Sequence, residues 1–173
     1  MLFNASKCEC LHLGYGNLKY DYYLGEEQIQ DTKEVKDLGV KVDTDLNWSK
    51  HTAEAVKKAN KALGMIKRTF EYKSRSAIGK LYKALVRPHL EYCVQACRPW
   101  LQRDVDLLES VQKRVTKMVP GLAHLPYKQR LEVMNLTTLE SRRLRTDLIE
   151  MYKICHGLEN IDPNDLFVFS QDD

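Results

Sequence analysis

The chain has 173 residues, of which 43% are hydrophobic and 29% are charged, and it carries a net charge of +3. This balance is typical of a soluble globular protein. No apolar run approaches the roughly 20 residues of a membrane span, so we expect no membrane partner. The five cysteines are scattered without a framework spacing. They favour reduced thiols and therefore an intracellular location, in the nucleus or the cytoplasm.

Basic charge is concentrated in the middle of the chain. Residues 1–47 hold 5 basic and 9 acidic side chains, residues 48–157 hold 22 and 10, and residues 158–173 hold none and 5. A basic surplus of this size in one segment predicts contact with a polyanion such as nucleic acid. The alternative is a solvated helical surface, which usually carries many lysines.

Short strands and turns are predicted for the first 47 residues. The alternation from Cys8 to Leu13 predicts a strand that ends at Gly14. The residues around Gly25 predict a short hairpin. Residues 34–43 predict a second hairpin, in which a glycine at position 39 lets the backbone approach a ligand closely.

A basic amphipathic helix follows, for which Ser49 is the predicted N-cap. Its apolar stripe consists of Thr52, Val56, Ala59, Leu63, Ile66 and Phe70. Lys57, Lys61 and Arg68 fall together on another face at helical spacing. That face could lie along a phosphate backbone.

Two further helices are predicted around residues 78–97 and 105–118, joined by residues 99–104. Pro88 lacks an N–H and disfavours helical geometry before it, so we expect a break or a sharp kink. The two helices should form an antiparallel pair on which the rest of the chain packs. The second one ends with Lys113, Arg114 and Lys117.

The last helix is predicted to begin with a capping box at Thr137 and Glu140 and to stop at Gly157. Its predicted buried residues are Leu144, Leu148, Met151, Tyr152 and Cys155. It should present Arg142, Arg143 and Arg145 to solvent, and arginines favour bidentate contacts with phosphates.

Two groups of possible metal ligands occur. His89, Cys93 and Cys97 are spaced at four residues, but three ligands along one straight helix would span about 12 Å and could not surround one ion. Cys8, Cys10 and His12 lack the second cysteine pair of zinc motifs. We therefore expect no metal site.

Several strings resemble the C-terminal part of the reverse transcriptases of LINE-type (non-LTR) retrotransposons of the jockey and chicken-repeat groups. They are Leu81–Cys93, Asp106–Met118 and Leu139–Ile149, and the similarity extends from Phe3 to about Phe169. The resemblance implies an α+β fold that is mainly α-helical. Five to six helices would form a thumb-like bundle beside a small antiparallel N-terminal sheet. The implied parts are a palm-rim segment with a primer-grip-like hairpin at 1–47, a thumb-like helical domain at 48–157 and an acidic tail at 158–173.

The resemblance also implies roles for individual residues. Asn4-x-x-Lys7 is similar to a family motif whose lysine lies near the phosphates of the incoming nucleotide; the alternative for Lys7 is an exposed lysine at a strand start. The segment Lys36-Asp-Leu38-Gly39-Val40 resembles the family's primer grip, which holds the primer terminus. The helix faces, and not the resemblance, predict the duplex-binding cations, and the three clusters should share one surface because a rigid duplex can be followed only by charges on one side. They are Lys57, Lys61, Arg68, Lys113, Arg114, Lys117, Arg142, Arg143 and Arg145.

Catalysis in this family requires an aromatic-x-Asp-Asp hairpin whose carboxylates hold Mg²⁺ in the intact enzyme. This chain has no such hairpin, and Phe167–Asp173 is only superficially similar to it. We therefore expect no catalytic residues, no cofactor bound by this chain and no activity from the isolated chain. The carboxylates would belong to an upstream palm and fingers of the same polyprotein.

The expected function is that of a C-terminal fragment of an RNA-directed DNA polymerase, which binds the RNA–DNA template-primer duplex through basic helices. Two alternatives remain. One is a retroelement-derived, non-enzymatic interaction or scaffold module whose basic face meets an acidic protein. The other is a decayed open reading frame with no selected activity.

Overall fold

The computed structural model describes residues 4–168. Phe3 and Phe169, which bound the region of family resemblance, lie outside this range. So does the Asp172–Asp173 pair, which ends the segment that is superficially similar to the catalytic hairpin. The strands are β1 (Glu9–Leu11), β2 (Tyr23–Leu24), β3 (Glu27–Gln28), β4 (Gln30–Thr32), β5 (Glu34–Asp37) and β6 (Val40–Asp43). The helices are α1 (Ser49–Thr69), α2 (Arg75–Leu81), α3 (Arg87–Leu90), α4 (Gln102–Lys117), α5 (Tyr127–Met134) and α6 (Leu139–Cys155). The α+β class, mainly helical, is confirmed.

The strands form three separate two-stranded pairs. β2–β3 and β5–β6 are the two predicted antiparallel hairpins. β1 pairs with β4 in parallel, with Cys10 opposite Asp31. The β2–β3 hairpin lies in the connection between these two strands, and this connection is long enough to serve as the crossover that a parallel pair needs.

Pro88 does not break the helix in which it lies. A π-helical turn at Tyr82–Val86 joins α2 to α3, and the Arg87 N–H donates to the Tyr82 carbonyl five residues earlier. The wider turn relieves the clash that a proline ring otherwise makes with the preceding helical turn. α2, the π turn and α3 therefore form one helical run, which ends at Leu90.

The main hydrophobic core is built around α1, which packs against both the π turn and α4. Ala59 and Ile66 of α1, Val86 of the π turn and Val111 of α4 are almost fully buried. The predicted stripe of α1 is confirmed except for Phe70, which follows the helix and is 38% exposed. The helices on either side of residues 99–104 both pack against α1, so the predicted seam is part of a core that α1 shares.

A polar cluster lies inside this core. The Tyr82 hydroxyl donates to Gln112 Oε1, and the Gln112 amide donates to the Thr137 carbonyl at 2.9 Å. Glu109 accepts hydrogen bonds from the Tyr127 hydroxyl and, at 3.0 Å, from the Leu139 N–H. These bonds tie α4 to the start of α6 and satisfy groups that are otherwise costly to bury.

The last helix is oriented opposite to the prediction. Leu144 and Leu148 are 48% and 57% exposed, and Met151 and Tyr152 are exposed as well. Arg143 is buried instead and donates to the Leu90 carbonyl at 3.0 Å. Asp147 accepts from Arg98 at 3.0 Å. Polar contacts with the helical body therefore turn the apolar side of α6 outwards.

Three details of helix ends also differ from expectation. Ser49 lies inside the first turn of α1, and its hydroxyl donates to Asp104 Oδ2 at 2.5 Å instead of capping the helix. Thr138 caps α6 in place of Thr137, by accepting from the Ser141 N–H at 3.1 Å. Cys93 follows the end of α3 with a φ of 53°, so His89, Cys93 and Cys97 do not share one helix face.

Candidate nucleic-acid interface

Three cations form an exposed row on α1. Lys57, Lys61 and Arg68 all lie on the solvent side of the helix. Within residues 4–168 none of the three makes an ion pair, whereas Lys50 and Lys58 of the same helix pair with Glu34 and Glu54. Their charges are therefore available to an external anion.

A second group of exposed cations lies in the last two turns of α4. Lys113 Nζ lies 5.6 Å from the centre of the Tyr127 ring, a cation–π distance. Arg114 folds back on Ser110, with Nε at 3.4 Å from its carbonyl oxygen. Lys117 is exposed in the last turn of the helix. No ion pair joins these three cations to a carboxylate among the described residues.

The two cation-bearing helices are held together at their starts. Ser49 of α1 donates to Asp104 of α4, and Arg103 Nη2 donates to the Ser49 hydroxyl at 3.3 Å. The helices then pack through the hydrophobic core. The fold thus combines the first two groups of sequence-predicted cations in one packed helical unit.

The third predicted group is not a surface cluster. Burial lowers the pKa of Arg143, whose guanidinium is enclosed beside the Leu90 carbonyl. Arg142 is half-buried and makes a two-pronged contact with Glu91, which raises the pKa of Arg142. Both arginines therefore fasten α6 to the end of α3, and only Arg145 of the three is exposed. The prediction that Arg142 and Arg143 are exposed for phosphate contacts is therefore wrong.

The primer-grip-like hairpin consists of β5, the turn Leu38–Gly39 and β6. Both turn residues have positive φ, 45° and 86°, as two-residue hairpins of the primed type require. Val40 is buried, while Leu38 at the tip is 85% exposed. The Tyr92 hydroxyl donates to the Leu38 carbonyl at 2.5 Å and fixes the tip against the end of α3.

Glu54 of α1 anchors this hairpin. Its carboxylate lies 3.1 Å from Lys58 Nζ, 3.5 Å from Lys36 Nζ and 3.6 Å from Lys41 Nζ. The hydrogen bond from Lys58 and the nearby lysine charges lower the pKa of Glu54 to about 2. Lys36 is therefore ion-paired, unlike the exposed cations Lys57, Lys61 and Arg68 of α1.

A groove of about 420 Å³ opens between the hairpin turn, α1 and α3. Its lining residues are Gly39, His51, Glu54, Ala55, Lys58, Pro88, His89 and Tyr92. Burial lowers the pKa of His51, and its Nδ1 accepts from the Lys41 N–H at 3.4 Å. Sequence reasoning did not single out His51 or Tyr92, because their proximity to the hairpin depends on contacts distant in sequence.

Lys7 is exposed at the end of a short 3₁₀ turn, Ala5–Lys7. The sequence contains no aromatic-x-Asp-Asp motif.

Within residues 4–168, no helix has the length and apolarity needed to cross a bilayer.

The chain is similar to a curated protein of unassigned function. An uncharacterized protein of Caenorhabditis elegans is 28% identical over 126 residues, which cover 71% of this chain and 64% of that protein. The chain thus spans less than two thirds of the length of this relative. No family model matches the chain, and no solved structure matches it.

Proposed function

We propose that this chain binds an RNA–DNA duplex as the thumb-like, C-terminal part of a LINE-type reverse transcriptase. The observation that carries the proposal is the set of exposed cations on α1 and α4, which have no carboxylate partner within residues 4–168. Solvent-facing lysines are common on helices. Here, however, they occur on two helices fixed to each other, in the segment with the large basic surplus.

The spacing of the α1 row suits an extended polyanion. Lys57 and Lys61 are one turn apart, about 6 Å along the helix axis, and Arg68 follows about 10 Å further on. Contacts of this kind address phosphates and carry no base information. We therefore expect binding that is strongly salt-dependent and weakly sequence-specific.

The groove beside the hairpin turn provides a place for the end of a primer strand. His89 and Lys58 line this groove, and a phosphate would reach Lys58 by displacing its ion pair with Glu54. The Tyr92 ring packs against Gly39, 3.7 Å from where a Cβ would stand. The Tyr92–Leu38 hydrogen bond and the Glu54 ion pairs hold the hairpin in position. In this proposal the chain positions the duplex, and the metal-binding carboxylates belong to an upstream palm of the same polyprotein.

A second candidate function is an interaction or scaffold module. The observation in its favour is the exposed apolar side of α6, formed by Leu144, Leu148, Met151 and Tyr152. An apolar surface of this kind fits a protein partner better than a phosphate backbone.

Competition binding separates the two candidates. A fluorescently labelled RNA–DNA hybrid is bound to the chain and then displaced either by unlabelled hybrid or by poly-glutamate at equal total charge. Duplex binding predicts that the hybrid competes far better than poly-glutamate, and that Leu148→Gln leaves the affinity unchanged. Equal competition per unit charge would favour a scaffold module whose basic face meets an acidic protein. No binding to either would contradict both duplex binding and an acidic protein partner.

A further inference from the structure

Three side chains with metal-binding atoms converge at the β1–β4 pair, away from the cationic helices. Cys10 in β1 lies opposite Asp31 in β4. His12 follows two residues after Cys10, so both side chains project from the same side of the extended chain. The third partner, Asp31, is distant in sequence and reaches the other two only through the parallel pairing.

Two of the distances between these atoms are close to those of a metal centre. Cys10 Sγ lies 3.7 Å from His12 Nε2, and His12 Nε2 lies 3.1 Å from Asp31 Oδ1. All three ligand atoms lie within 4.8 Å of one another. Tetrahedral zinc with Zn–S of about 2.3 Å and Zn–N or Zn–O of about 2.0–2.2 Å separates its ligand atoms by about 3.3–3.6 Å.

The orientation of Asn17 directs His12 Nε2 towards the other two ligands. Asn17 Nδ2 donates to the Leu13 carbonyl at 3.2 Å, and Asn17 Oδ1 accepts from the Lys19 N–H at 2.8 Å. The amide oxygen therefore faces His12 Nδ1, at 3.1 Å, and accepts its proton. A neutral imidazole held in this tautomer presents the lone pair of Nε2 to the sulfur and the carboxylate.

The same groups also admit a metal-free arrangement. A protonated His12 would donate from Nδ1 to Asn17 and from Nε2 to Asp31, which lies at ion-pair distance, while Cys10 Sγ stays further away at 3.7 Å. A metal ion bound by the neutral imidazole would instead draw all three ligand atoms to one point.

We propose that Cys10, His12 and Asp31 bind a zinc ion. A thiolate, an imidazole and a carboxylate form a mixed set that suits zinc, whereas magnesium and calcium prefer oxygen ligands throughout. Binding converts the Cys10 thiol to a thiolate and releases its proton to solvent. Asp31 is exposed and leaves the fourth position accessible to water. The ion would also clamp β1 to β4, a two-stranded pair that is marginal by itself.

The test uses the full chain with its metal removed by a chelator. Zinc is titrated in the presence of a chromophoric competitor, and cobalt is titrated separately as a spectroscopic probe of thiolate ligation. We expect one metal ion per chain and a thiolate-to-cobalt charge-transfer band. Cys10→Ser, His12→Gln and Asp31→Asn should each abolish competitive zinc binding. Asn17→Ala should weaken it by about 10–100-fold, because Asn17 orients the ligand without touching the metal.

The matched control is Cys8→Ser. The Cys8 thiol donates to the Asn4 carbonyl at 3.4 Å and is not one of the three converging groups, so this variant should bind zinc as tightly as the wild type. Circular dichroism verifies that each variant keeps its helices. Absence of the cobalt–thiolate band in the wild type overturns the proposal, as does equal loss of zinc affinity in Cys8→Ser and Cys10→Ser.

Discussion

Replacing Tyr82 by Phe probes the polar cluster that joins α4 to α6. Tyr82 is 1% exposed, and its hydroxyl donates to Gln112 Oε1. The substitution keeps the aromatic ring and its packing but removes this one donor. Gln112 is fully buried, so its oxygen would be left without a partner in a site closed to solvent.

The expected cost follows from that unsatisfied oxygen. Leaving a buried acceptor unpaired costs about 1–3 kcal/mol, and we expect about 2 kcal/mol here because the amide of Gln112 keeps its other hydrogen bonds. For a chain of this length, a loss of about 2 kcal/mol lowers Tm by about 4–8 °C.

Urea and thermal denaturation of wild type and Tyr82→Phe measure this cost. Tyr92→Phe is the matched control, because Tyr92 is 52% exposed and water can replace its hydroxyl at the Leu38 carbonyl. The control should lose less than about 1 kcal/mol. If the two variants lose the same stability, the core cluster does not contribute as the geometry requires.

Three further predictions concern pH, the last helix and catalysis. The pKa of Glu54 falls from 4.5 to about 2, so its ion pairs contribute stability that is complete above about pH 4.5 and is lost as pH falls towards 2. Glu54→Gln should therefore cost about 1 kcal/mol near neutral pH; a difference in urea midpoint from wild type that stays constant down to pH 2 would contradict this. Leu148→Gln should change stability by less than about 0.5 kcal/mol, because Leu148 is 57% exposed. Ile154→Ala in the same helix, at a 7% exposed position, should cost about 2–5 kcal/mol, and equal losses would mean that α6 is oriented otherwise. The purified chain should incorporate no nucleotide on a primed RNA template with Mg²⁺ or Mn²⁺, and incorporation above background would show that this chain itself supplies catalytic carboxylates.

The helices were predictable because their signal is local. The apolar stripes of α1 and α4 appear in the sequence at helical spacing, and their central residues are buried. The β5–β6 hairpin was predictable for the same reason, since its turn contains Gly39. The π turn before Pro88 could not be predicted. A break, a kink and a widened turn all remove the same hydrogen bond from a regular helix, so the proline alone does not distinguish among them.

The orientation of α6 and the groups around the hairpin could not be predicted, because they depend on partners distant in sequence. A charged residue such as Arg143 is expected at the surface. Its burial is explained by its hydrogen bond to the Leu90 carbonyl, a partner 53 residues away in sequence. The apolar side of α6 has the pattern of a core-facing helix, yet it is exposed among the described residues. No sequence pattern near Asp31 indicates that its side chain lies beside Cys10 and His12, because this proximity depends on the β1–β4 pairing.

The measurement that tests the central claim most directly is the salt dependence of duplex binding in Lys57→Glu/Lys61→Glu. Fluorescence anisotropy with a labelled RNA–DNA hybrid gives the affinity from low to moderate salt. Each phosphate-contacting cation contributes close to one unit to the slope of log affinity against log salt, so the variant should bind more weakly and its slope should fall by about 2. Lys19→Glu/Lys33→Glu makes the same change in net charge within the acidic N-terminal segment and should leave the slope unchanged. Unchanged affinity and slope in Lys57→Glu/Lys61→Glu, or an equal loss in both variants, would contradict duplex binding through α1.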